Sequence, residues 1–276
     1  MNEKELIMSW HNGRIVGNEK LMTVFTPTLS CNLIVTAKFF TSGTDILFWN
    51  DTLAYLNSFL EDYHISSNLL ADQTGESLKA ETKRLLIRNS YYKTAICSFS
   101  ISLSNETGRQ DEYLVVNPAP SLFETDQHLK KAIVSGQLKP SGTIMRLPNL
   151  CNEFKKLIKR EMDNENADDC IILNQELNIA ESYWGNIFLI NSQKAITPSE
   201  KSGCSKLLVR TIVMRLLTES GFEIEEKDEI DTKEMFNAKE VIIAGESGIY
   251  SLKGFEMKRY FDDTKKLLVS KIKELI

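Results

Sequence analysis

Two prolines within four residues, in Asn117-Pro118-Ala119-Pro120, interrupt this chain. Each proline removes a backbone donor and disfavours the helical region for the residue before it, so neither a helix nor a central strand continues through both. A domain boundary is therefore expected there, with an N-terminal α+β domain over residues 1–118 and a larger C-terminal domain over residues 119–276. At 276 residues the chain is long enough for each part to bury a core without staples.

The N-terminal part reads as strands with one helix. Residues 6–16 and 21–26 have strand character around Asn12-Gly13, a pair that supplies the positive φ angles of a hairpin turn. Leu33–Phe40 and Asp45–Phe48 continue the sheet around Ser42-Gly43, and Leu53–Tyr63 has helical apolar spacing. Ala95–Leu103 and Glu112–Val116 read as further strands. In the C-terminal part, helices are expected over 149–162, 205–220 and 262–276, and strands over 170–174, 186–190, 241–244 and 250–252.

Charge excludes some function classes. A net charge of -5, with 33 basic residues scattered among 38 acidic ones, gives no broad positive field for nucleic acid or anionic lipid. The one dense basic run, Lys155–Arg160, lies in a helical pattern whose apolar positions are Phe154, Leu157 and Ile158, and reads as a solvated helix face. No run approaches the roughly 20 apolar residues of a membrane span, and the N-terminus lacks a basic head followed by an apolar stretch. The reading is a cytosolic protein. Cys31, Cys97, Cys151, Cys170 and Cys204 show no CxxC spacing and read as reduced core thiols rather than metal ligands.

The most informative stretch is Ala167-Asp168-Asp169-Cys170-Ile171-Ile172-Leu173-Asn174, followed by Ala180-Glu181-Ser182-Tyr183-Trp184-Gly185-Asn186-Ile187-Phe188-Leu189. An aspartate-bearing strand, a turn, a glutamate and an Asn-Ile-Phe five residues later occur in register. This block resembles the central signature of the fold-type IV pyridoxal phosphate family, that of branched-chain and D-amino acid aminotransferases and aminodeoxychorismate lyases. His11-Asn12-Gly13, Thr197-Pro198, Gly203–Arg210 and Ala238–Ile243 are weaker echoes in the same order.

The resemblance implies a two-domain α+β fold, a homodimer, a small amino or keto acid as ligand, and pyridoxal 5'-phosphate as cofactor. It places Glu181 at the ring nitrogen, where a carboxylate keeps the ring protonated and able to accept electrons. Asn186 matches a bracing asparagine. Leu208, Val209 and Arg210 fall at the phosphate-binding helix start, where amides and the helix dipole favour an anion. Gly245 and Glu246 fall where the family places its last cofactor contacts.

Three departures stand against that chemistry. The best match to the family's Schiff-base lysine is Arg146, in Arg146-Leu147-Pro148-Asn149, and a gapless alignment puts Pro148 there. Neither is an amine that can condense with an aldehyde; a guanidinium stays protonated and delocalised. Lys139, in the loop expected over residues 137–142, is the alternative amine. The family's phosphate arginine falls near Tyr55, and its loop glycine is replaced by Leu207, whose side chain obstructs close approach of backbone to an anion. The reading is a divergent homologue with lost or altered lysine chemistry; the alternatives are an active transaminase or lyase using Lys139 or another lysine, and an unrelated α+β binding domain.

Overall fold

The computed structural model describes residues 7–17, 32–72, 74–104, 108–119, 123–124, 128–140, 142 and 152–276. The chain divides into two compact units, Met1–Leu122 and Phe123–Ile276.

In the first unit, β1 (Met8–His11) and β2 (Arg14–Gly17) form a hairpin whose turn residues Asn12 and Gly13 take φ of 44° and 84°. Positive φ at both positions is what a two-residue turn between twisted strands requires. The strand expected over residues 21–26 lies outside the described residues. β3 (Asn32–Ser42), β4 (Asp45–Ile46), β5 (Ala95–Ser104) and β6 (Gln110–Pro118) complete a six-stranded sheet in the order β2-β1-β6-β5-β3-β4.

Two helices accompany that sheet, α1 (Trp49–Asp62) and α2 (Glu76–Arg88). The expected strand Asp45–Phe48 is cut short because Phe48 takes φ 51° and caps α1, which therefore starts before the expected Leu53. Helix α2 was not expected from the sequence. Its Leu78, Thr82, Leu85 and Leu86 are buried at helical spacing, as are Leu56 and Phe59 of α1.

The second unit contains β7 (His128–Leu129), β8 (Ala132–Lys139), α3 (Asn152–Asn164), β9 (Asp169–Asn174), β10 (Ile179–Ser182), β11 (Gly185–Asn191) and β12 (Lys194–Pro198). It continues with α4 (Leu208–Glu219), β13 (Glu223–Lys227), α5 (Glu234–Asn237), β14 (Glu240–Gly245), β15 (Gly248–Leu252), β16 (Gly254–Phe255), β17 (Lys258–Arg259) and α6 (Asp263–Leu275). One sheet runs β10-β9-β8-β16-β17 and the other β13-β12-β11-β14-β15-β7.

The unbroken apolar run Cys170-Ile171-Ile172-Leu173 follows from burial of β9 on both faces. Ile171 and Leu173 pack with Ile187, Leu189, Val241, Ile243 and Leu252 of the other sheet. Cys170 and Ile172 face the opposite way, onto Ile158 and Met162 of α3.

Strand β8 was also not expected. Its burial pattern has inward positions at Ala132, Ser135 and Lys139, and its parallel register with β9 shifts between Val134 and Leu138. A bulge over Ser135-Gly136-Gln137 thus re-aims the end of the strand, and Lys139, expected in a loop, is the buried last residue.

Cys97, Cys170 and Cys204 are buried free thiols, pushed up by burial to about 12, 12 and 11. Cys31 and Cys151 lie outside the described residues. Among the described residues no helix is long and apolar enough to cross a membrane, and no three His, Cys, Asp or Glu side chains group as metal ligands.

Candidate active site

Where β10, β11 and α3 meet the loop before α4 and the β14–β15 turn, the second unit forms a cavity of about 140 Å³. Its chemistry centres on Glu181, in β10, which is only 3% exposed. The Glu181 carboxylate accepts a hydrogen bond from the Lys139 ammonium at 2.7 Å through Oε1 and from the Ser205 backbone amide at 2.7 Å through Oε2. Lys139 Nζ also lies 3.2 Å from Ser205 Oγ, to which it donates. The ion pair is fully enclosed, with side chains 3% and 4% exposed.

A buried carboxylate must find charge or donors to remain ionised. Burial pushes the Glu181 carboxyl up, but the Lys139 charge, the Lys155 charge and the hydrogen bonds from Lys139 and Ser205 outweigh it and hold the group below its ordinary range. Its neighbour Asp169 does the reverse. With one oxygen accepting from the Cys170 amide at 2.8 Å and the other without a hydrogen-bond partner, Asp169 is pushed by burial up to about 7.

The strand–turn–strand segment that carries Glu181 is locally fixed. Ser182 Oγ accepts from the amides of Trp184 and Gly185, turning the chain from β10 into β11. Gly185 stands opposite Gly245 in the β11–β14 ladder, and a Cβ on Gly185 would lie 2.1 Å from the Ala244 carbonyl oxygen. Trp184 donates its indole N–H to the Asp168 carbonyl at 2.7 Å, which holds the ring at the cavity wall.

Other sequence-selected residues are distributed unevenly around this centre. Asn186 donates to the Ser205 carbonyl at 2.9 Å and so braces the loop that meets Glu181. Glu246 lines the cavity; Gly245 lies beside it and supports close strand packing. The helix expected from Ser205 begins only at Leu208, because Leu207 is extended and the Ser205 amide is committed to Glu181.

Leu208 and Val209 bury their side chains in the core, and Leu207 lines the cavity with no side-chain cap on the helix. Arg210 is turned away from the cavity: its guanidinium donates to the Pro198 carbonyl at 2.7 Å and to Glu226 at 2.8 Å. Tyr55 belongs to the other unit, buried in α1 with its ring 6.0 Å from Phe59. Arg146 lies outside the described residues.

The sequence reading took Lys155 for part of a solvated helix face and gave no role to Ser182, Tyr183, Trp184 or Tyr250, which also line the cavity. The quoted signature contained Ser182 and Trp184, but only the fold brings Lys155 of α3 and the 245–250 turn against them.

Residues 56–251 match the amino-transferase class IV family. The chain belongs to that family. Pyridoxal phosphate is accordingly the cofactor that family membership assigns to this scaffold. A probable branched-chain-amino-acid aminotransferase of Aquifex aeolicus is 37% identical over 90 residues, 32% of this chain and 29% of that protein. Branched-chain-amino-acid aminotransferase-like protein 2 of Arabidopsis thaliana is 33% identical over 100 residues, 36% of this chain and 17% of that protein. The alignments thus span less than a third of these curated relatives. A branched-chain amino acid aminotransferase of Thermobaculum terrenum in its PLP form superposes with a TM-score of 0.81 at 20% identity, over 99% of this chain and 94% of that one. The corresponding enzyme of Thermoproteus uzoniensis gives 0.80 at 16%, over 98% and 94%.

Proposed function

We propose that this chain is a ligand-binding member of the class IV aminotransferase family in which the lysine-dependent chemistry is lost or altered. The observation that carries this reading is the state of Glu181: both of its oxygens already accept from donors of the chain itself, one of them the Lys139 ammonium. When bound, the cofactor supplies an electron sink whose protonated ring nitrogen needs such a carboxylate. Here the carboxylate has been neutralised from within. A ring nitrogen placed there would share Glu181 with the Lys139 ammonium and the Ser205 amide.

The same geometry bears on Lys139 as the alternative amine. The ring nitrogen and the aldehyde carbon of pyridoxal phosphate stand at opposite ends of the ring. An amine in salt-bridge contact with the carboxylate at one end does not reach the carbon at the other while that pair persists. What favours the alternative is that Lys139 is an amine in contact with Glu181 of the cavity lining, so a rotamer change that released Glu181 would free it. The geometry as it stands favours Lys139 as a structural cation that keeps Glu181 ionised and the Ser205 loop closed on it.

The ligand, on this reading, is a small amino or keto acid or a related anion. The protein acts as a homodimer of its 31.4 kDa chain in the cytosol, which sedimentation equilibrium would check for assembly. Adding pyridoxal phosphate to the purified protein, recording the visible spectrum, reducing with borohydride and mapping peptides by mass is the deciding experiment. Absorbance of free cofactor with no adduct is the expected result. A reduced adduct on Lys139, or on any other lysine, would overturn the reading and name the amine.

A further inference from the structure

Strand β8 reaches Lys139 by a detour. Its register with β9 sets Val134 opposite Ile171 and Leu138 opposite Leu173, so Ser135, Gly136 and Gln137 together face Ile172. Ile172 is also the β9 residue that stands opposite Glu181 of β10. Had the first register continued, Gln137 would lie opposite Asn174; the bulge takes up two residues, and Lys139 stands there instead. Two residues of strand are roughly 6–7 Å, a larger step than the 2.7 Å separating the Lys139 ammonium from Glu181. The ion pair therefore depends on the bulge.

A bulge leaves polar backbone groups outside the ladder, and here one carboxylate gathers them. Glu161, half-buried in the last turn of α3, accepts through Oε2 from Ser135 Oγ at 2.8 Å and from the Gly136 amide at 3.2 Å. Its Oε1 accepts from the Gln137 side-chain amide at 3.0 Å. Ser135 Oγ in turn accepts from the Gln137 backbone amide at 2.9 Å. All three bulge residues are thus tied to Glu161 by bonds that its charge strengthens. Negative charge in the last turn of a helix opposes the helix dipole, so α3 itself gains nothing from a glutamate there. Ile158 and Met162, on the same face of α3, bury against Cys170 and Ile172 and hold Glu161 over the strand.

We propose that Glu161 is the positioning residue of the Lys139–Glu181 pair: by clamping the bulge of β8 it sets the register that delivers the Lys139 ammonium to the Glu181 carboxylate. This rests on the reading that Lys139 is a structural cation held against Glu181. Glu161 touches neither partner and acts through Ser135, Gly136 and Gln137. Releasing the clamp lets the end of β8 slip toward the regular register, which withdraws the amine from Glu181 and opens it to solvent.

Timed acetylation of the full chain with acetic anhydride, read by peptide mass analysis, tests this. Lys139 and Lys265 are buried, at 2% and 0% exposure, and Lys201, whose side chain is 83% exposed, serves as the rate standard. Glu161→Ala is expected to raise the Lys139 rate about tenfold or more, as loss of hydrogen bonds to a charged acceptor shifts a local opening equilibrium. Lys265, in α6, should keep its rate, which separates a released clamp from general loosening. Glu161→Gln keeps an oxygen for Ser135 and Gly136 and should restore most of the protection of Lys139. Ser135→Ala, a milder change at the other end of the same bond, should move Lys139 in the same direction, and decides the matter should Glu161→Ala fail to fold. Lys139 protected as in the parent in folded Glu161→Ala or Ser135→Ala, a rise matched by Lys265 in a folded variant, or Glu161→Gln as reactive as Glu161→Ala would each overturn the proposal. Lys139 labelling as fast as Lys201 in the parent is a different failure, since it would overturn the ion pair itself.

Discussion

Removing one member of a buried ion pair leaves the other charged and unsolvated, and the cost falls on stability rather than on surface chemistry. Lys139→Met should therefore destabilise the protein by about 3–5 kcal/mol, whereas Lys139→Met with Glu181→Gln should lose markedly less, since no bare charge remains. Urea unfolding of the two variants checks this, and equal losses would mean that the lysine acts by packing alone. Two carboxyls set opposing pH responses. Glu181, held below its ordinary range, contributes stability that is present above the unfolded carboxylate pKa and lost as pH falls through the lower folded value. Asp169, raised from 3.8 to about 7, binds its proton more tightly when folded, so it takes stability away as pH rises through that window. Asp169→Asn, which stays neutral, should gain on the parent by a few kcal/mol between about pH 4 and pH 7 in melts across that range. The glutamate was legible in the sequence because a register of neighbouring residues carried it. Its partner was not: Lys139 is separated from it by 42 positions, and only a bulge turns it inward.

Among the elements, the β11–β14 ladder depends on two facing glycines. Gly185→Ala would set a methyl 2.1 Å from the Ala244 carbonyl oxygen, against backbone that cannot move aside without breaking the pairing. A loss of about 3 kcal/mol or more, or failure to fold, is expected. Gly136→Ala in β8 meets only the Glu161 side-chain oxygen, at 3.5 Å, and should melt within a few degrees of the parent. Comparable melting of the two would refute the close-approach argument. The elements read most accurately from sequence were those with a plain period, such as β5 and β9. Strand β8 escaped because its buried residues, Ala132, Ser135 and Lys139, are spaced three and four apart, which is the signature of a helix rather than a strand. The start of α4 was placed too early because Leu207 is not a capping residue and nothing local marks where the extended loop ends.

At the scale of the molecule, the division into two units decides what any single probe can report. The resemblance read from residues 167–250 identified the family for the whole chain, yet the cavity walls came from elements whose proximity no local pattern encodes. Lys155 on α3 and Ser247 on the β14–β15 turn are 92 positions apart by their numbers and line one space. The buried thiols give this division an experimental use. A thiolate forms only when its cysteine is released from the interior, so modification by an alkylating reagent counts opening events. Cys97 lies in one unit, while Cys170 and Cys204 lie in the other. Pulse alkylation followed by peptide mass analysis should show Cys170 and Cys204 labelled at matching rates, with Cys97 keeping its own. The protein thus carries two clocks, one in each half, and the ratio of their rates is a direct measure of how independently the halves open.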